Sequence, residues 1–91
     1  MKRHIDYKVP GGKFLRIDID TEKDKITDIR ITGDFFIHPE EGILDIENSL
    51  RGANKNKVGE ILRKTLNEKN IKIIGFDVSD IEKAVSMAFV S

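Results

Sequence analysis

The segment Lys8-Val9-Pro10-Gly11-Gly12-Lys13 brackets two glycines with two lysines. Accessible backbone N–H groups and ammonium groups can together hold phosphate oxygens. The segment lacks the spacing and the following helix of a P-loop. It therefore also reads as a hairpin tip with solvated lysines, since hairpin loops so often use glycine. Asp34 could orient one of these lysines, or cap local backbone N–H groups as aspartates in turns do. His4 and His38 are the only histidines and form no ligand motif. His38 precedes Pro39 and either caps a helix or sits in a loop, with no base or nucleophile beside it. The chain contains no cysteine, so disulfides, thiolate metal sites and cysteine nucleophiles are all excluded. The acidic series Asp18, Asp20, Glu22 and Asp24 lacks the glycine and terminal glutamate of a calcium loop and reads as a solvated turn.

These residues need elements to position them, and the first part of the chain alternates with the period of half-buried strands. Ile5, Tyr7 and Val9 alternate with Asp6 and Lys8; Leu15, Ile17 and Ile19 alternate with Arg16 and Asp18. Ile29 and Ile31 alternate with Asp28 and Arg30, and the pattern continues through Gly33 to Phe35. The short links Pro10-Gly11-Gly12 and Thr21 to Lys25 make the three strands an antiparallel meander. Directly opposed residues share a sheet face, so parity tests the register. A three-residue loop of Pro10, Gly11 and Gly12 sets Tyr7 opposite Leu15 and Ile5 opposite Ile17. Pairing Ile17 with Ile29 and Leu15 with Ile31 keeps the next hairpin apolar on one face.

Beyond Pro39 the period becomes helical. Pro39, Glu40 and Glu41 suit a helix start, Ile43, Ile46 and Leu50 follow at helical spacing, and Gly52 stops the helix. Asn54 or Asn56 caps a second helix bearing Val58, Ile61, Leu62 and Leu66 on one face, which ends at Asn70. Lys72 to Phe76 is a brief strand or a buried connector. Ser79 and Glu82 have the capping-box spacing for a last helix, whose apolar face is Ile81, Ala84, Val85, Ala88 and Phe89. The expected fold is α+β: one domain over residues 1–91, with a three-stranded antiparallel meander packed by about three helices in two layers.

One end of the meander gathers Lys8, Gly11, Gly12, Lys13 and Phe14 with Gly33, Asp34, Phe35 and Phe36. If Leu15 faces the helices, Phe14 faces away; if Phe35 points inward, Phe36 points outward. Such aromatics suggest a partner surface; the other reading is that helix ends or the tail cover them. The lysine-rich second helix, with Lys55, Lys57, Arg63, Lys64 and Lys69 against Glu60 and Glu68, is a solvated face or a dock for an acidic partner. Sixteen basic residues balance sixteen acidic ones, so no net field favours nucleic acid or an anionic membrane. The apolar runs are too short for a membrane span or a signal-peptide core, which suggests a cytoplasmic location.

In order and spacing, these segments resemble the C-terminal domain of lipoate–protein ligase. Lys8 to Ile17 resembles that family's opening hairpin, and Ile29-Arg30-Ile31-Thr32-Gly33-Asp34-Phe35-Phe36 resembles its third strand and Gly-Asp-Phe-Phe ending. Pro39-Glu40-Glu41, Ile46 to Gly52 and the lysine-rich helix also fit, so the similarity covers almost the whole chain. The resemblance implies the separate small subunit of an archaeal-type split ligase, a heterodimer with a large catalytic subunit. That family joins lipoate and ATP into lipoyl-adenylate and passes the lipoyl group to a lysine of an acceptor domain. The lipoate site, the nucleotide site and the catalytic lysine belong to the large part. This chain would then be an accessory subunit, not catalytic alone, with ATP, lipoate and the accompanying Mg2+ at the shared site of the complex. On this reading Lys8, Gly11, Gly12 and Lys13 form the nucleotide edge, and Phe14, Asp34 and Phe36 face the partner. The expected fold also resembles the sulfur-transfer and iron–sulfur scaffold proteins, whose chemistry requires the cysteines missing here. A non-enzymatic adaptor binding through Phe14 and Phe36 is the alternative function.

Overall fold

A computed structural model describes residues 1–11 and 13–89. The meander is present as β1 (Lys2–Lys8), β2 (Phe14–Glu22) and β3 (Lys25–Gly33), in the order β1-β2-β3. Its inner face is nearly all isoleucine and leucine: Ile5, Leu15, Ile17, Ile19, Ile29 and Ile31 are buried. Alternation puts charged and polar residues on the other face, so the sheet has one wet side and one dry side.

The first hairpin has the expected register, with Tyr7 opposite Leu15 and Ile5 opposite Ile17. The second differs from expectation by two residues: Ile17 opposes Ile31, Ile19 opposes Ile29, and Leu15 opposes Gly33. Alternation fixes register only modulo two, so both pairings keep the same face apolar. The actual pairing is set by a tight turn at Lys23–Asp24, with Lys23 at φ +55°, and by an irregularity next to Asp20 and Thr21. The acidic series therefore lies largely along β2 rather than in a turn.

Three helices cover the dry side: α1 (Gly42–Leu50), α2 (Val58–Glu68) and α3 (Val78–Ala88). Helix α1 begins after Pro39, which instead accepts a turn hydrogen bond from the Gly42 N–H at 2.9 Å. Asn54 caps a short 3-10 turn, Lys55–Lys57, by accepting from the Asn56 N–H, and that turn leads into α2. The capping box of α3 is Asp77 with Asp80, two residues ahead of the expected Ser79 with Glu82. Ser79 contributes instead by donating to Asp77, which holds that carboxyl below its ordinary value of 3.8. Ile46, Leu50, Val58, Leu62, Ile81, Ala84, Val85 and Ala88 complete the core against the sheet.

The outer edge of β3 is sealed by the chain downstream of it. The buried Glu47 carboxylate of α1 accepts from the Ile31 N–H at 2.7 Å. Further along, Ile26 N–H donates to Ala53 and Ile26 C=O accepts from Gly52. Two short strands, which periodicity does not reveal as a pair, complete the fold. They are β4 (Phe36–His38) and β5 (Lys72–Ile74), which form a separate antiparallel ribbon. No helix among the described residues is long and apolar enough to cross a membrane.

Candidate functional site

The ends of β1 and β3 and the start of β2 meet at one end of the sheet, and the sequence candidates meet with them. The Val9 N–H donates to the Lys13 carbonyl at 2.7 Å, closing the link between β1 and β2. Lys8 and Lys13 are exposed on either side of it. Nothing lies within 4 Å of where a Cβ on Gly11 would sit, so the tip stands open. Gly12 lies outside the described residues.

Asp34 takes the capping role rather than orienting a lysine. Its carboxylate accepts from the Phe14 N–H at 2.8 Å and straps the start of β2 to the residue after β3. The chains are close enough there that a Cβ on Gly33 would lie 2.4 Å from the Phe14 carbonyl, a distance only glycine permits. Phe14 points away from the core, 40% exposed, with the Arg16 guanidinium 5.8 Å above its ring. Phe35 turns inward and meets Phe76 edge-on, with centroids 4.9 Å apart. Gly75 adopts φ +122° over Phe35; a Cβ there would come within 3.0 Å of the Phe35 Cβ and 3.7 Å of the Lys13 Cγ. Lys13, Phe14, Asp34, Phe35 and Gly75 thus form one locked junction.

Phe36 is as exposed as expected, at 71%, but it does not share the sheet face of Phe14. Strand β3 has ended at Gly33, and Phe36 opens the ribbon, directly opposite Ile74. Ile74 is itself 69% exposed and was not among the sequence candidates. The ribbon continues with His38 opposite Lys72, so His38 caps no helix. Neither helix ends nor the described tail cover Phe14 and Phe36. The segment Lys72 to Phe76 could have signalled this, since two adjacent isoleucines in a strand must face opposite ways.

The outer sheet face carries a different arrangement. His4 Nδ1 lies 2.7 Å from Asp18 and Nε2 lies 3.0 Å from Asp6, while the Arg16 Nε donates to Asp6 at 3.3 Å. The hydrogen bond with Asp18, above all, raises the His4 pKa from its ordinary 6.5. Arg51 donates to Asp28 at 2.8 Å and holds that carboxyl below its ordinary 3.8. A surface groove there is lined by Lys2, His4, Asp18, Asp28 and Arg30. Among the described residues no three His, Asp or Glu side chains converge to hold a metal ion.

The described residues thus make a small α+β domain: a charged-faced meander backed by helices, with an open tip between Lys8 and Lys13 and an exposed apolar ribbon beside it. The chain belongs to the family of the bacterial lipoate protein ligase C-terminus, whose sequence profile matches residues 2–85. It is 39% identical over 63 residues to lipoate-protein ligase A subunit 2 of Thermoplasma acidophilum. That match takes in 69% of this chain and 66% of the relative, slightly under two thirds of its length. The fold matches, with a TM-score of 0.81 and 31% identity, a chain in the solved structure of a bi-partite lipoate protein ligase and its E2 lipoyl domain from Thermoplasma acidophilum. The superposition covers 92% of this chain and 93% of that one.

Proposed function

We propose that this chain is the accessory subunit of a two-part lipoate–protein ligase. With a large catalytic subunit it supports ATP-dependent formation of lipoyl-adenylate, and hence the lipoylation of an acceptor domain in the cytoplasm. The observation that carries this reading is the near end-to-end match to a chain of a bi-partite ligase, at 31% identity and 92% coverage.

In the reaction a lipoate carboxylate oxygen attacks the α-phosphorus of ATP, and pyrophosphate leaves. The lipoyl group then passes to an acceptor lysine and AMP is released. The open tip at Gly11, with Lys8 and Lys13 beside it, suits a lid over phosphates rather than a container for nucleotide. Lipoate, the nucleotide and its Mg2+ would be held chiefly by the large subunit. Lys8 and Lys13 would oppose the charge that builds on the phosphates, an electrostatic contribution to adenylation. Phe14, Asp34 and Phe36 would lie toward the large subunit, Phe36 reaching it from the ribbon and Phe14 and Asp34 from the adjoining sheet end.

Mixing the chain with a large subunit and measuring lipoate-dependent pyrophosphate release tests the assignment. Adenylation should require both parts; no complex and no change in activity would overturn it in favour of an adaptor. The double variant Lys8→Ala/Lys13→Ala should slow adenylate formation by about 10-fold or more. Transfer from supplied lipoyl-adenylate should slow less. Equal loss in both steps would remove these lysines from the nucleotide edge.

A further inference from the structure

We infer that the outward face of the β4–β5 ribbon, centred on Phe36 and Ile74 and rimmed by Lys13 and Lys72, is the dock for the large catalytic subunit. The surface it meets there is an apolar patch with an acidic border. This inference rests on the function proposed above and assigns it a place.

The ribbon is only three residues per strand, and two of its six side chains are large, apolar and opposed to each other in solvent. Folding has no use for them there. The inward pair Ile37 and Ile73 already packs on the core, as do Phe35 and Phe76. Two-stranded ribbons are marginal alone, so this one depends on those inward contacts and not on Phe36 or Ile74. Clustered large side chains at the centre of a patch are what protein interfaces use as anchors. The ribbon is also held in place before any partner arrives, by the close approach of Gly75 to Phe35 and the edge-on Phe35–Phe76 contact. Ordering in advance reduces what association must later overcome.

The described chain does not supply the cover. The Met1 ammonium and carbonyl bond to Thr21, and Phe89 lies beside Lys55, which bridges to Asp24. Those contacts are at the far end of β2, a strand of nine residues and roughly 30 Å. A second copy is disfavoured by charge. A twofold contact would set one rim of lysines against the same rim, since isologous interfaces oppose a patch with itself. Lys8, Lys13 and Lys72 have no carboxylate within salt-bridge distance among the described residues. On the outer sheet face Arg16 pairs with Asp6, and Asp28 takes Arg51 from the end of α1. Lys2 and Arg30 there also lie outside salt-bridge distance of a carboxylate among the described residues. What sets Lys13 and Lys72 apart is the apolar pair they flank. Cations left unpaired around an apolar centre call for acids on the partner. An acceptor domain must leave after each transfer, whereas a lasting subunit contact favours an apolar centre. Docking through the ribbon would also bring Lys13, whose Cγ would lie 3.7 Å from a Cβ built on Gly75, to the seam where the nucleotide edge is needed.

The test measures affinity for the large subunit by calorimetry, using the full chain and its Phe36→Thr/Ile74→Thr variant. Threonine keeps strand propensity, so the circular dichroism spectrum should be unchanged while affinity falls on the order of 100-fold. The single variants should each show part of that loss, and Lys72→Glu should slow association and flatten its salt dependence. The chain lacks cysteine, so Ile74→Cys gives a unique thiol whose alkylation the large subunit should suppress. That footprint decides the matter even where the double variant does not fold. Full affinity in the double variant, or undiminished alkylation in the complex, overturns the ribbon dock while leaving the split-ligase reading intact. Loss of self-association or of acceptor-domain binding alone, with the large subunit still bound, overturns it equally. Failure of the unmodified chain to bind or activate any large subunit removes the functional reading itself.

Discussion

The sheet and the ribbon each turn one face to solvent, and they finish it in opposite ways. The outer sheet face is a mosaic in which opposite charges meet: His4 with Asp6 and Asp18, Arg16 with Asp6, Arg51 with Asp28. The ribbon, beside the sheet's open end, shows Phe36 and Ile74 bare, and Lys72 has no carboxylate within salt-bridge distance among the described residues. Exposed ion pairs are individually weak, so the mosaic contributes little to stability. It does keep a flat β-surface wet and discourages adventitious pairing. The contrast teaches that one exposed β-surface is finished with paired charge while the other leaves large apolar side chains in solvent.

The sharpest way to break that contrast is to truncate an isoleucine on each side of it. Ile17→Ala, at a site with no exposure, should destabilise the chain by about 2–5 kcal/mol in urea unfolding. Ile74→Ala should fall within about 0.5 kcal/mol of the parent. Equal losses would show that Ile74 is core and that the ribbon's outward face is structural. A smaller effect is expected at the sealed edge of β3. Glu47→Leu leaves the buried Ile31 N–H without an acceptor and should cost about 1–3 kcal/mol. Glu47→Gln, whose amide oxygen can still accept, should cost less. The mosaic should give the smallest effect, visible only as a pH dependence. His4 binds its proton more tightly folded than unfolded, so its contribution is full below about pH 6.5 and fades as pH rises through the folded-state value. The Tm difference between the parent and His4→Gln should therefore be greatest below about pH 6.5 and shrink as pH rises above it. A difference that grows with pH would contradict the carboxylate clamp.

Much of this was legible in residue order. Period-two alternation located all three meander strands, and parity correctly turned Phe14 out and Leu15 in. Helical spacing found the buried faces of α1, α2 and α3. What failed did so for physical reasons. A register two residues away satisfies the same alternation, so only the turn at Lys23–Asp24 could decide the second hairpin. The expected cap, Ser79 with Glu82, missed by two residues, because a carboxylate caps as well as a hydroxyl and Asp77 takes Asp80 as its reciprocal partner. Three-residue strands carry no period at all, and that concealed the ribbon. Lys8, Lys13, Phe14 and Asp34 were assembled correctly at one end, because a meander brings those strand termini together whatever their exact pairing. Ile74 came from a segment distant in sequence, and nothing local announced its partner.

The strap from Asp34 to the Phe14 amide has a mechanical consequence. It joins the lysine-bearing hairpin to the stretch leading into the ribbon, and Gly75 closes the same joint from the other side. The start of β2 and the stretch leading into the ribbon are therefore tied at one joint rather than standing as two independent flaps. A load placed on the ribbon would reach the backbone beside Lys13 through that joint.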